Sequence, residues 1–146
     1  MLASEATVHL TIGSYFENIE LVQIVIEEAL NRLTIDEDSS HWLGIAVREA
    51  VANAIKHGNQ GDPAKRVEVA VGFTESELVI SVRDEGEGFD PGKVSDPLEP
   101  ENLLRASGRG IFFMRKFVDE IDFSFHDQGG TVVTLRKQLD SPPPLV

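Results

Sequence analysis

A chain of 146 residues, 41% hydrophobic and 26% charged, has the composition of one globular domain able to bury its own core. Its 25 acidic against 13 basic residues leave a formal net charge of −12, which argues against direct nucleic-acid binding, since that requires a basic footprint. The absence of cysteine removes disulfides and thiolate metal sites. No run approaches the ~20 apolar residues that span a bilayer, and the start "MLASEATVHL" lacks the charged region and apolar run of a secretory signal. A cytoplasmic domain without membrane contact is therefore expected.

In chain order, "ATVHLTIGS" (6–14) alternates as a first strand. Residues 16–33 follow with helical spacing, Ile19, Val22, Ile26 and Leu30 sharing one face. "TIDEDSS" is a polar break with capping residues. "HWLGIAVREAVANAIKH" (41–57) predicts a second helix, stopped by "GNQGDP". Residues 67–73 and 78–86 alternate as two strands joined by "TESE", a hairpin. From Phe89 to Ser107 the periodicity stops, with prolines at 91, 97 and 100. A structureless segment this long inside a compact domain is commonly functional, and a lid that is mobile without ligand is expected. Residues 108–120 predict a glycine turn opening a helix. Strands 121–127 and 131–137 close the fold, joined by "QGG". The expected domain runs from 1 to 140, with a flexible tail at 141–146. This order predicts an α+β two-layer sandwich: a mainly antiparallel sheet with helices on one face.

Four short patterns carry possible chemistry. Glu49, Asn53 and His57 recur every four residues, so a core-seeking helix bears a polar stripe along one line. A solvated helix face is the bland explanation. The chemical one is a metal–nucleotide site, with an amide oxygen as a hard neutral ligand for Mg²⁺ and a carboxylate one turn away as proton acceptor. "DEGEGFD" (84–90) puts Asp84 at a strand mouth, where it can accept from an amino group, with Gly86 and Gly88 permitting close approach. "SGRGIFF" (107–113) places glycines before a helix whose free N–H groups can cradle phosphate. "GGTVVTL" (129–135) opens a strand at Thr131 that can return beside Asp84. Each pattern alone reads more simply as a turn or a strand start, and no Walker lysine motif is present.

Taken together, the ordered series E-x-x-x-N, D-x-G-x-G, irregular loop, G-x-G and G-T resembles the Bergerat-type (GHKL) ATP-binding superfamily from about residue 41 to 137. Within it the chain most resembles small bacterial anti-sigma factors that are also serine/threonine protein kinases. "REAVANAIKHG" has the spacing of that branch, and "IFFMRKFVDEI" resembles its second glycine helix.

The resemblance implies a Bergerat fold that uses ATP and Mg²⁺. It implies Asn53 as the Mg²⁺ ligand, Glu49 as base toward a serine or threonine hydroxyl, and Asp84 as acceptor for the adenine amino group, with Thr131 supporting through a water. Gly86 and Gly88 would shape the adenine pocket, and residues 90–107 would be the ATP lid. Gly108 and Gly110 would let a helix N-terminus meet the phosphates, with Arg105 or Arg109 balancing their charge. His57 is expected to pack or cap against "GNQG", and Trp42 to pack. The implied partners are a sigma factor, an antagonist protein and a second copy of the chain. A non-catalytic nucleotide-gated binding module and a detached histidine kinase ATP-binding domain are the competing readings.

Overall fold

The computed structural model describes residues 6–33, 35–86 and 118–139. The elements are β1 (Ala6–Gly13), α1 (Glu17–Asn31), α2 (Glu37–Asn53), β2 (Arg66–Phe73), β3 (Glu77–Arg83), β4 (Glu120–Phe125) and β5 (Thr131–Gln138). The five strands form one sheet in the order β1-β2-β3-β5-β4, and every pairing is antiparallel. The expected α+β sandwich is thus present. The expected lid at 90–107, the expected glycine turn and helix up to residue 117, and the expected tail at 141–146 lie outside the described residues.

Alternation decides which face of the sheet is covered. Val67, Val69 and Val71 of β2 and Leu78, Ile80 and Val82 of β3 point to the helical side and are buried. They meet Ile19, Val22, Ile26 and Leu30 of α1 and Leu43, Val47, Val51 and Ile55 from α2 and its continuation. Fully burying each such aliphatic side chain contributes about 1.5–3 kcal/mol relative to exposure. Helix α1 rests against β1 and α2 against β3, which sets the order of the helices across the sheet.

Three boundaries differ from expectation, each for a local reason. Helix α2 starts at Glu37 rather than 41, because the Asp36 carboxylate caps it by accepting the Ser39 N–H at 2.9 Å. Hydrogen bonding from Ser39 holds the Asp36 carboxyl below its ordinary pKa, and Glu37 and Asp38 suit the positive end of the helix. Strand β3 ends at Arg83 because Asp84 folds its carboxylate back onto the Gly86 N–H, an Asx-type turn. Val118 and Asp119 are not helical. The Asp119 N–H donates to the Arg136 carbonyl at 2.9 Å and already extends the β4–β5 ladder.

Candidate functional site

The β3–β5 pairing assembles the site. Arg83 stands opposite Val132, so the next residues on each side, Asp84 and Thr131, also meet. The Asp84 N–H donates to the Thr131 carbonyl at 3.0 Å, and the Thr131 N–H donates to Asp84 Oδ1 at 3.0 Å. Oδ1 accepts a second bond, from the Gly86 N–H, also at 3.0 Å. Two backbone donors therefore fix the rotation of the carboxylate, which is only 6% exposed. Among the described residues nothing donates to Oδ2. Thr131 thus bonds Asp84 through its own backbone N–H and carbonyl.

The carboxylate is enclosed by glycines. A Cβ on Gly58 would lie 2.1 Å from Asp84 Oδ2, and one on Gly86 would lie 2.1 Å from the Gly58 carbonyl oxygen. Gly130 combines φ +97° with a virtual Cβ only 2.0 Å from the Asp84 carbonyl oxygen, so it is excluded from side chains by both conformation and space. The space a Gly86 side chain would fill is taken by the backbone of Gly58, which packs the end of the second helix against the Asp84 turn. Gly58 and Gly130 carry no signal in the sequence beyond their places in "HGN" and "QGGT".

Between α2 and Gly58 the chain forms a single π turn, Ala54–Gly58. Such turns are rare and often mark functional sites. The Asn59 and Gly61 N–H groups close it by donating to the Ala54 and Ile55 carbonyls, each at 2.8 Å. His57 is exposed within this turn. Its expected packing or capping role is not met, because backbone amides do the capping.

The polar stripe leads into this junction. Arg48 Nη1 donates to Gln23 Oε1 of α1 at 2.6 Å, which marks the α1-facing flank of α2. At ~100° per residue, Glu49 and Asn53 stand ~100° and ~140° around from Arg48. They turn away from α1, toward the side of the sheet carrying β5 and β4. Both are half-buried, and among the described residues neither side chain has a hydrogen-bonding or ionic partner. Burial raises the Glu49 carboxyl above its ordinary pKa of 4.5, opposed by the neighbouring Arg48 guanidinium, and a raised pKa makes a stronger base. Trp42, half-buried, sets its ring edge to face on His41 with centroids 5.3 Å apart.

The structure therefore gathers Asp84, Gly86 and Thr131 at one point and brings the helix bearing Glu49 and Asn53 up to it through Gly58. Gly88, Arg105, Gly108, Arg109 and Gly110 lie outside the described residues. Among the described residues no group of three or more His, Cys, Asp or Glu is placed to hold a metal. The donor set suits Mg²⁺ carried on phosphates, which needs few protein ligands; the Asn53 amide oxygen, without a partner among the described residues, is chemically such a ligand.

The sequence profile described as the histidine kinase-like ATPase domain matches residues 14–137. The chain belongs to this family. The ATPase domain is 32% identical over 135 residues to an anti-sigma F factor of Geobacillus kaustophilus, covering 90% of this chain and 91% of that one. It is 26% identical over 129 residues to a serine-protein kinase RsbW of Oceanobacillus iheyensis, covering 84% and 80%. A crystal structure of the RsbU and RsbW domains of a Mycobacterium tuberculosis protein shares its fold, with a TM-score of 0.61 at 22% identity. That match covers 97% of the ATPase domain and 34% of the longer chain. None of the described helices of the ATPase domain is long and apolar enough to cross a membrane.

Proposed function

We propose that this ATPase domain is an anti-sigma factor that also transfers phosphate from ATP to a serine or threonine of an antagonist protein. The observation that carries the nucleotide part is the Asp84 carboxylate. Its Oδ1 is consumed by two backbone donors and, among the described residues, its Oδ2 is left as an acceptor, which suits the adenine amino group. The partners follow from similarity along most of the chain to relatives named anti-sigma F factor and serine-protein kinase.

In this reading Glu49 takes the proton of the substrate hydroxyl as its oxygen bonds to the γ-phosphorus and the bridging bond to ADP breaks. Asn53 presents its amide oxygen to Mg²⁺, which when bound offsets phosphate charge. Gly86 and Gly88 shape the adenine pocket, and Thr131 orients Asp84. Gly108 and Gly110 bring a helix N-terminus to the phosphates, and Arg105 or Arg109 adds a cation. Little covalent work falls to the protein in such a transfer, so positioning dominates. The domain occupies residues 1–140 and works in the cytoplasm, in line with its cysteine-free composition.

The deciding experiment is incubation with γ-labelled ATP, Mg²⁺ and a small antagonist protein bearing a serine. Label is expected on that serine. ATP binding without transfer to any antagonist would leave a nucleotide-gated binding module instead.

A homodimer belongs to the same proposal. Among the described residues β1 lies at an edge of the sheet, and Val8 within it and Leu21 and Ile24 on α1, which packs against it, are 39%, 53% and 63% exposed. Light scattering should give twice the chain mass, falling to the single-chain mass for Ile24→Lys. A single-chain mass in the unmodified protein would remove the dimer.

A further inference from the structure

Asn59 has no role in the reading so far, yet it is wholly buried at 0% exposure. Its amide is used at both ends. Nδ2 donates to Ser14 Oγ at 2.9 Å and to the Arg66 carbonyl at 3.0 Å. Oδ1 accepts the Glu85 N–H at 2.8 Å. Ser14 Oγ in turn donates to the Lys65 carbonyl at 2.7 Å. One side chain thus joins the end of β1, the start of β2 and the residue directly after Asp84. The Glu85 carboxylate returns the link, accepting the Arg66 N–H at 2.6 Å.

The placement matters because of what flanks Glu85. On one side is Asp84, whose carboxylate orientation depends on the Gly86 N–H. On the other is Gly86, which lies under the Gly58 carbonyl with no space to move toward it. Glu85 itself is exposed, so its own packing does not hold the segment. A buried amide with both ends paired has one geometry open to it, since any rotation strands buried donors.

We propose that Asn59 is a positioning residue for nucleotide recognition. By fixing the Glu85 amide, it holds residues 84–86 in the turn that keeps Asp84 Oδ2 presented as an acceptor. The proposal rests on the reading of Asp84 as the adenine acceptor, but part of its test needs no nucleotide.

Amide hydrogen exchange and ATP kinetics on the full chain separate the outcomes. In Asn59→Ala, the Glu85 and Gly86 amides should lose protection while those of Val69 and Ile80 keep theirs. The KM for ATP should rise by about 3–10-fold, the range of one neutral hydrogen bond, with kcat at saturating ATP unchanged. Ser14→Ala, which spares the Oδ1 bond, should leave both the Glu85 protection and the KM as in the wild type. Should Asn59→Ala fail to fold, Asn59→Ser carries the test, since it brings no charge into the buried site and its side chain ends one atom short of the Glu85 N–H, whose protection it should lose. Equal loss of protection across the sheet, or unaltered Glu85 protection in folded Asn59→Ala, overturns the positioning role. Lost Glu85 protection with no change in KM also overturns it. If the wild type binds no adenine nucleotide, the Asp84 reading fails instead, and the exchange data still report on Asn59 separately.

Discussion

Glu49→Gln is expected to bind ATP as the wild type does and to phosphorylate the antagonist about 10²–10⁴-fold more slowly, the usual contribution of a general base. Gln keeps the size of the side chain and one acceptor oxygen but takes no proton. Glu49 suits the role because burial raises its pKa and no partner among the described residues occupies it. Activity should fall as pH drops through that raised pKa.

The same substitution makes a stability prediction of defined sign. A carboxyl whose folded pKa is raised favours the folded state below its ordinary value of 4.5, and that favour is lost as pH rises through the folded pKa. Glu49→Gln removes this dependence. At neutral pH the variant should melt above the wild type, and the gap should close as pH falls to 4.5 and below. Wild-type phosphotransfer in the variant, together with an unchanged melting profile, would make Glu49 an ordinary surface residue.

Asp84→Asn is expected to weaken ATP binding by roughly 5–150-fold, the equivalent of the ~1–3 kcal/mol lost when a buried polar group faces no proper partner. Asn keeps an oxygen for the Gly86 and Thr131 N–H groups, so the turn survives. It replaces Oδ2 with a donor, which opposes the amino group of adenine. Discrimination between ATP and GTP should shrink with it. Asp84→Ala should do more, since two buried backbone donors then lose their acceptor. Calorimetry giving wild-type affinity for Asp84→Asn would place adenine elsewhere.

The sequence by itself determined the periodic elements and the chemistry-bearing residues. Alternation at Val67, Val69 and Val71 and helical spacing at Ile19, Val22, Ile26 and Leu30 are local signals, because burial on one face repeats with the geometry of the element. Glu49 and Asn53 stand out because polar groups along a core-seeking helix need a reason, and Asp84 because it closes an alternating strand just before two glycines. The tertiary structure alone decided what joins them. Insertion of β5 between β3 and β4 turns the possible return of Thr131 beside Asp84 into one fixed register across 47 positions. Gly58 and Gly130 have to be glycines because of the Asp84 atoms that approach them from distant parts of the chain. Asn59 reads in sequence as one more turn former in "HGNQG". Its importance comes from Ser14, 45 residues earlier, and Glu85, 26 residues later. Hydrogen bonds across such separations leave no periodicity in the sequence, because they exist only once the sheet has closed.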